Sequence, residues 1–362
     1  FKDTKKMKEK VLVAMSGGVD SSVTLLKIIE MGYEAIGITM KLWEYHDVGG
    51  NNLQDNNCCA VSSINKAKLV CERMGVPHYT IDFTESFKKD VVDNFVDEYV
   101  KGRTPNPCVR CNSFIKWDTF IEQADILGAK YIATGHYAQI GQNNNGYFIK
   151  EGVDKRKDQS YVLWGIPKET LSKTILPLGD LTKEEVRQIA RDNKLETAEE
   201  PESMEICFIA DNNYKRFINE YASEKVSHIE NGKTLDEDGK QLGNNEGYIN
   251  YTIGQRKGIG LSNPNPLYVK EINPKNNTIV VGEKNSLFKN ICKVKHLNWL
   301  IDKPKLPHKT LCQIRYNGNK SEGMIIEDGN DFVVKFKEPQ LAITPGQSIV
   351  FYSNDILSGG GI

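Results

Sequence analysis

Hydrophobic residues along the chain fall into short blocks with two periodicities. Residues 11–14 (VLVA) form an apolar run. It is followed by Ser16-Gly17-Gly18-Val19-Asp20-Ser21-Ser22 and then by VTLLKIIEMG, where Leu25, Leu26, Ile28 and Ile29 share one helical stripe that stops at Gly32. A second apolar segment runs from Ala35 to Met40. Strand, glycine-rich turn, helix and strand in that order predict a βαβ unit, and with it a parallel sheet with right-handed crossovers. The pattern continues with a helix over 65–75, a strand over 78–83 (HYTIDF), a helix from Phe87 to Val100, another near Phe114–Leu127, and a strand over 130–135 (KYIATG). Thr182 with Glu185 three residues on makes a capping box that announces a later helix. Residues 1–211 therefore read as a doubly wound α/β domain.

The texture then changes. Residues 212–287 are rich in Asn and Gly turn pairs and predict a small mixed central domain. From 288 to 362, alternating segments such as DFVVKFK (331–337) and QSIVFY (347–352) lie between Gly, Pro and Asn turns, the pattern of a C-terminal antiparallel β-barrel. A chain of 362 residues has room for two or three domains at roughly 150 residues each.

Composition narrows the function classes. The 47 Lys and Arg nearly cancel 48 Asp and Glu, leaving a net charge of −1, which excludes a wholly basic nucleic-acid binder but leaves room for a local basic surface. The last segment, from residue 289, carries a net charge of +3. No apolar run approaches the ~18–20 residues of a membrane span. The basic first ten residues lack the apolar stretch of a signal peptide, and Met7 stands as an alternative start to Phe1. Eight cysteines, at 58, 59, 71, 108, 111, 207, 292 and 312, are too sparse for a disulfide scaffold. The expectation is a cytoplasmic, multidomain protein with no membrane association.

The glycine-rich turn is the first candidate site. Backbone N–H groups at the start of a helix favour a phosphate, and glycines let the chain approach it without a Cβ in the way. A Walker loop would need Gly-Lys-Ser/Thr here, and the dinucleotide fingerprint would need G-x-G-x-x-G; neither is present. The string resembles the PP-loop of ATP pyrophosphatases, whose fold is that of the adenine nucleotide alpha hydrolases. Those enzymes cleave ATP between its α- and β-phosphates and adenylylate an oxygen atom. The resemblance implies that Ala14, Met15, Ser16, Gly17, Gly18, Val19, Asp20 and Ser21 hold ATP, with Met40 and Gly135 touching the nucleotide at the carboxyl edge of the sheet. His136 beside that edge reads, as a lone histidine, as a structural residue.

The cysteines are the second. Cys108 and Cys111, in TPNPCVRCNSFIKW (104–117), immediately precede a helical stretch, where a helix N-terminus lowers a thiol pKa. Cys207 lies in PESMEICFIA (201–210). Cys71 reads as helix core, Cys292 and Cys312 belong to the barrel-like segment, and Cys58-Cys59 fall in an Asn-rich loop.

SGGVDSS, TPNPCVRCN, ATGHYA, KDQSYVLW (157–164), ESMEICF (202–208), GYINYTIGQRKG (247–258) and QIRYNG (313–318) occur in the order seen in the tRNA-specific 2-thiouridylase family, and the resemblance runs from about residue 10 to 355. It implies 2-thiouridine at the wobble position of tRNAs for Lys, Glu and Gln. ATP would adenylylate the C2 oxygen, with Mg²⁺ bridging the phosphates and Asp20 as an outer ligand. It further implies a persulfide on Cys207, charged by a cysteine desulfurase or a sulfur-relay protein. Cys111 would be its partner, either attacking the activated carbon or releasing sulfide by forming a disulfide with Cys207. Asn106, Pro107 and Cys108 match the family's base-contacting segment; Lys157, Asp158, Gln159, Arg315 and Tyr316 match its tRNA-contacting segments. Gln255, Arg256 and Lys257 add charge for an RNA backbone.

One departure matters. Many relatives carry Asp where this chain has Cys108, so a carboxylate acid–base role does not transfer. Cys108, Cys111 and Cys207 offer an alternative, three thiolates for a [4Fe-4S] cluster with one open iron. A PP-loop ligase or amidotransferase acting on a small molecule is a further alternative, disfavoured by the paired cysteines and the mildly basic last segment. A redox- or zinc-binding RNA chaperone leaves SGGVDSS unexplained.

Overall fold

The computed structural model describes residues 8–43, 61–202, 206–209, 211–329 and 331–362. Cys58 and Cys59 lie outside them. The chain divides into two compact units, one of residues 1–90, 108–212 and 355–357, the other of 91–107, 213–354 and 358–362.

The first unit is built on five parallel strands. They are β1 (Lys10–Ala14), β2 (Glu34–Lys41), β3 (His78–Asp82), β4 (Tyr131–Ala133) and, after the antiparallel hairpin β5 (Ala138–Asn143) and β6 (Gly146–Glu151), β7 (Thr174–Ile175). Their order is β3-β2-β1-β4-β7, with β1 paired in parallel to β2 on one side and β4 on the other. The chain goes one way from β1 into β2 and β3 and returns to add β4 on the opposite edge. This topological switch opens a crevice beyond the carboxyl ends of β1 and β4, the place where such sheets bind ligands.

Val11, Leu12 and Val13 of β1 are fully buried, as a central parallel strand covered on both faces requires. The helix α1 (Val19–Glu30) buries Val19, Val23, Leu25 and Ile28, and helix α2 (Val61–Arg73) adds Ala67, Val70 and Cys71 to the cluster that holds Leu25 and Ile28. Cys71 is the core residue that its helical position predicts. The capping box forms: the Thr182 hydroxyl accepts from the Glu185 N–H at 3.2 Å, the Thr182 N–H donates to Glu185 Oε2 at 2.7 Å, and a helix follows over Lys183–Asp192.

Three expectations shift. The helix expected over Phe87–Val100 is interrupted: a turn of α-helix at Thr84–Phe87 runs into a π-helical stretch, Lys88–Val92, and then into a second α-helix, Asp93–Val100. The division between the two units falls inside that π-helical stretch. The helix expected near Phe114 begins seven residues earlier, as an α-helical turn Pro107–Arg110 that runs into a nine-residue π-helix, Cys111–Thr119, and continues as Phe120–Ile126, so Cys108 and Cys111 lie within the helical run rather than ahead of it. The β5–β6 hairpin is new, its two strands closing on a two-residue turn, Asn144-Asn145, just ahead of Gly146.

In the second unit, helix Asp93–Val100 meets helix Tyr214–Tyr221 through Tyr99 stacked on Tyr214 and Phe95 against Phe217. Strands β8 (Gly232–Leu235), β9 (Gln241–Asn245), β10 (Tyr268–Asn273) and β11 (Thr278–Gly282) form a sheet in the order β10-β11-β8-β9. The C-terminal antiparallel sheet contains β12 (Phe288–Val294), a short β13 (Asn298–Trp299), β14 (His308–Gln313), β15 (Ser321–Asp328), β16 (Asp331–Leu341) and β17 (Ile349–Ser353). Within it the order β12-β16-β15-β14-β17 closes over Val294, Cys312, Ile325, Val334, Phe336 and Phe351. Alternating side chains produce that inward face.

Candidate active site

The crevice holds a cavity of about 310 Å³. Seven of the residues expected to hold nucleotide line it: Ala14, Met15, Ser16, Asp20, Ser21, Met40 and Gly135. The remaining three shape the turn from behind. Gly17 has φ +78°, and a Cβ there would stand 2.3 Å from the carbonyl oxygen of Ser63, so only glycine fits. Gly18 is the N-cap of α1 and offers no side-chain cap, which leaves the first N–H groups of the helix to an anion. Val19 is buried in a cluster with Val23, Tyr137 and Val186. The hydroxyls of Ser21 and Ser22 turn back onto the Gly18 carbonyl, at 3.0 and 2.9 Å, and fix the turn from inside.

Asp20 is committed to neighbours within the protein. Its two carboxylate oxygens accept from Lys183 Nζ at 2.7 and 2.8 Å, and Oδ1 also accepts from the Tyr137 hydroxyl at 2.7 Å. Lys183 reaches on to Glu202 Oε1 at 3.2 Å, and Lys157 holds the other oxygen of Glu202 at 2.5 Å. Burial alone would push the Glu202 carboxyl up, but hydrogen bonds from Lys157 and Lys183 outweigh it and hold the group below the usual carboxylate range. Burial, and then the charge of Asp20, drive the Tyr137 phenol far above its ordinary value, so it stays protonated and donates. The expected role of Asp20 as an outer metal ligand does not fit this arrangement, because an ammonium and a phenol already occupy the carboxylate.

The far wall is made by Thr134, His136, Gln159 and Lys116. His136 is buried. Desolvation, aided by the nearby Lys116 charge, holds its imidazole well below the usual range, and the neutral ring shares a 2.8 Å hydrogen bond with Thr134 through Nδ1. It is therefore both structural, as its isolation in sequence suggests, and part of the cavity surface. Asp158 and Gln159 build the loop behind: Asp158 accepts from the Gly152 N–H at 2.8 Å and the Ser160 hydroxyl at 2.7 Å, and Gln159 Oε1 accepts from the Tyr137 N–H at 3.0 Å.

Cys111 is the first residue of the π-helix, and it is buried. Cys108, three residues earlier, is exposed, and Cys207 is half-buried beside Phe208, whose ring packs on Phe87. None of the three is in a disulfide. Among the described residues no group of three His, Cys, Asp or Glu side chains is placed to hold a metal ion. The [4Fe-4S] alternative thus finds no ligand set among the described residues: Cys108 is exposed while Cys111 is buried.

The second unit carries the remaining expected residues. Gln347 Nε2 donates to the carbonyls of Thr104 and Pro105, at 2.9 and 3.0 Å, and so holds the segment leading to half-buried Asn106 and buried Pro107. Arg315 donates to the Ala342 carbonyl at 2.9 Å, Tyr316 is exposed beside it, and Arg256 and Lys257 are exposed on their own loop.

Family models match the chain along its length: a tRNA methyl transferase HUP domain over residues 9–211, a tRNA methyl transferase PRC-barrel domain over 215–283, and an aminomethyltransferase beta-barrel domain over 289–362. The tRNA-specific 2-thiouridylase MnmA of Carboxydothermus hydrogenoformans is 45% identical over 98% of this chain and 97% of its own. That of Caldicellulosiruptor saccharolyticus is 45% identical over 98% of each, and MnmA 1 of Caldanaerobacter subterraneus is 46% identical over 98% of this chain and 97% of its own. The chain belongs to the tRNA-specific 2-thiouridylase family. For a thiouridylase-family site, sequence reasoning missed Lys116, Thr134, Lys183 and Glu202 as members. Lys183 could have been found only as the first residue after a cap, and Glu202 only as a carboxylate near Cys207. Lys116, one helical turn past Cys111, had the clearer signal.

Proposed function

We propose that this chain is the tRNA 2-thiouridylase its family membership indicates, an ATP-dependent sulfurtransferase that converts the wobble uridine of tRNAs for Lys, Glu and Gln to 2-thiouridine. One observation carries the reading: the glycine-rich turn lines a cavity at the switch point of the sheet, in a chain that matches thiouridylases end to end.

The C2 oxygen of a uracil is a poor leaving group, so direct replacement by sulfur fails. ATP bound at the turn supplies an adenylyl group that converts this oxygen into AMP, a good leaving group. The free N–H groups at the start of α1 bind the phosphates, with Ser16 beside them. Tyr137 and Lys183 keep Asp20 from repelling that anion by neutralising and orienting its carboxylate. Mg²⁺ accompanies ATP in the family's chemistry, and no step is assigned to it, since Asp20 is already paired.

Sulfur then arrives as a persulfide on Cys207. Its terminal sulfur bonds to C2 as AMP departs with the C–O electron pair. The Cys111 thiolate next attacks the Cys207 sulfur, forming a Cys111–Cys207 disulfide and leaving the outer sulfur on the base; an external dithiol reductant resets the pair. Exposed Cys108 stands outside this exchange. Asn106 and Pro107 contact the flipped base, and Lys157, Gln159, Arg315 and Tyr316 serve the surrounding RNA. A cysteine desulfurase or relay protein charges Cys207, and a cytoplasmic location is in keeping with a tRNA substrate. No described helix is long and apolar enough to cross a membrane.

The test is a tRNA-dependent conversion of ATP to AMP with 2-thiouridine as the nucleoside product. AMP formation that ignores tRNA, or an RNA product without sulfur, would overturn the assignment.

A further inference from the structure

Among the described residues Lys116 is the only lysine or arginine lining the cavity of the glycine-rich turn. Two neighbouring ammoniums, Lys183 and Lys157, are consumed by Asp20 and Glu202. Lys116 by contrast has no hydrogen-bond or ion-pair partner among the described residues. It is half-buried, on the wall that also carries His136 and Thr134. An unpaired cation in a partly enclosed polar cavity calls for an anion, because its field there is screened less than at an open surface. The helix that presents it is unusual. Cys111–Thr119 is π-helical, so its hydrogen bonds run from i to i+5, and Cys111 and Lys116 stand one turn apart along it. Stretches of this kind are costly and recur at functional sites.

We propose that Lys116 is a catalytic residue of the adenylylation step, its ammonium facing the α-phosphate of ATP. The inference rests on the function proposed above. A lone pair of uracil O2 forms the new bond to the α-phosphorus. The bridging oxygen to the β-phosphorus leaves with the electron pair as pyrophosphate. The N3 proton, acidified once O2 is esterified, leaves with the pyrophosphate. Negative charge on the non-bridging α-oxygens is redistributed as the bonds exchange, and a fixed cation lowers the barrier by stabilising it more in the transition state than in bound ATP. The same helix then places the adenylate one turn from Cys111, which joins activation and sulfur delivery in one element.

The experiment compares the wild-type chain with Lys116→Gln and Lys116→Arg in single-turnover pyrophosphate release at saturating ATP and tRNA. Equilibrium binding of a non-hydrolysable ATP analogue is measured on the same proteins. Lys116→Gln is expected to slow pyrophosphate release by about 10²–10³-fold, the loss typical of a single transition-state charge contact, with analogue affinity changed much less. Lys116→Arg is expected to recover part of the rate, which a role in folding or packing would not produce. An unchanged Lys116→Gln rate, or a loss confined to analogue affinity, overturns the inference. Wild-type protein that releases no pyrophosphate in the presence of tRNA overturns instead the function on which it rests.

Discussion

Lys183 donates to both carboxylate oxygens of Asp20, at 2.7 and 2.8 Å, with only 9% of its side chain in contact with solvent. The two residues are 163 positions apart in sequence, one in the first turn of α1 and the other first in the helix that follows Thr182. A capping box and a glycine-rich turn, each a local device, are thereby joined by one ion pair behind the phosphate site.

Removing one partner of such a pair leaves the other uncompensated. Lys183→Met should destabilise the first unit by about 1–3 kcal/mol, below the usual cost for a fully buried pair because the Asp20 side chain is 34% exposed. Combining it with Asp20→Asn should recover part of the loss, since the stranded charge is gone. Thermal melts of the two single variants and the double variant measure the coupling. Strict additivity would mean that the pair contributes nothing.

The glycine-rich turn makes a sharper prediction. Gly17→Ala must adopt φ +78° and push a Cβ to 2.3 Å from the Ser63 carbonyl, so turn or helix has to move. Gly32 has φ +88° but open space around the same position. Gly32→Ala should cost about 1 kcal/mol and leave nucleotide binding unchanged. Gly17→Ala should cost more and weaken binding of an ATP analogue at least tenfold, a difference calorimetry would register. Equal binding by both variants would remove Gly17 from the phosphate site.

These residues show what a sequence can and cannot disclose. The first βαβ unit was legible because its signals are local: an apolar run in VLVA, a stripe from Leu25 to Ile29, a stop at Gly32. The C-terminal sheet was legible from its alternation, visible in DFVVKFK. The association of residues 91–107 with the second unit was not, because the helical pattern runs through Asp90 without a break, and only the distant partners Tyr214 and Phe217 reveal the change. The β5–β6 hairpin carried a signal, Asn145-Gly146, that the strand–helix alternation around it obscured. At the site, motif strings located the residues lining the cavity. The pairing of Asp20 with Lys183, and of Lys157 with Glu202, is a matter of charge meeting across the fold and has no periodicity to read.

His136 gives the stability of the first unit a predictable pH dependence. Its folded pKa lies well below the usual value because of burial first and the Lys116 charge second. In the unfolded chain the imidazole takes a proton near pH 6.5. Below that pH the unfolded state binds the extra proton and the folded state resists it, so the native state loses stability as pH falls from about 6.5 toward the depressed folded value, at up to about 1.4 kcal/mol per pH unit. Above pH 6.5 the contribution is constant. His136→Asn should flatten the curve over that window relative to wild type, as followed by urea unfolding at several pH values. Parallel curves would show that the imidazole is free to charge in the native protein.

Thiol chemistry separates the cysteines by environment. Burial pushes the Cys71 and Cys312 thiols up to about 12 and that of Cys292 to about 11, so near pH 7.5 these three are almost wholly protonated. Cys108 is exposed. Brief treatment of native protein with iodoacetamide, followed by peptide mass mapping, should modify Cys108 well before Cys71 or Cys312. Cys108→Ser should then retain 2-thiouridine formation within about threefold and bind no less iron than wild type under anaerobic purification, since no metal-ligand group forms among the described residues. Loss of both iron and activity in this variant would restore the cluster route.

The strongest separation of steps comes from Cys207. It is half-buried and is not among the residues lining the cavity, so replacing its sulfur with oxygen removes the carrier without disturbing the phosphate-binding wall. Cys207→Ser should release pyrophosphate from ATP in a tRNA-dependent way while producing no 2-thiouridine, a fall of at least about 10³-fold in product with little change in activation, because covalent carriers have no substitute within the chain. Cys111→Ser should likewise retain activation but halt after the sulfur has reached C2, with the tRNA held through a base–S–S–Cys207 linkage that appears as a protein–RNA adduct released by a dithiol. The two variants are distinguishable by that adduct, which Cys207→Ser cannot carry. A Cys207→Ser protein that also loses pyrophosphate release and analogue binding would make Cys207 a structural residue and remove the persulfide from the mechanism.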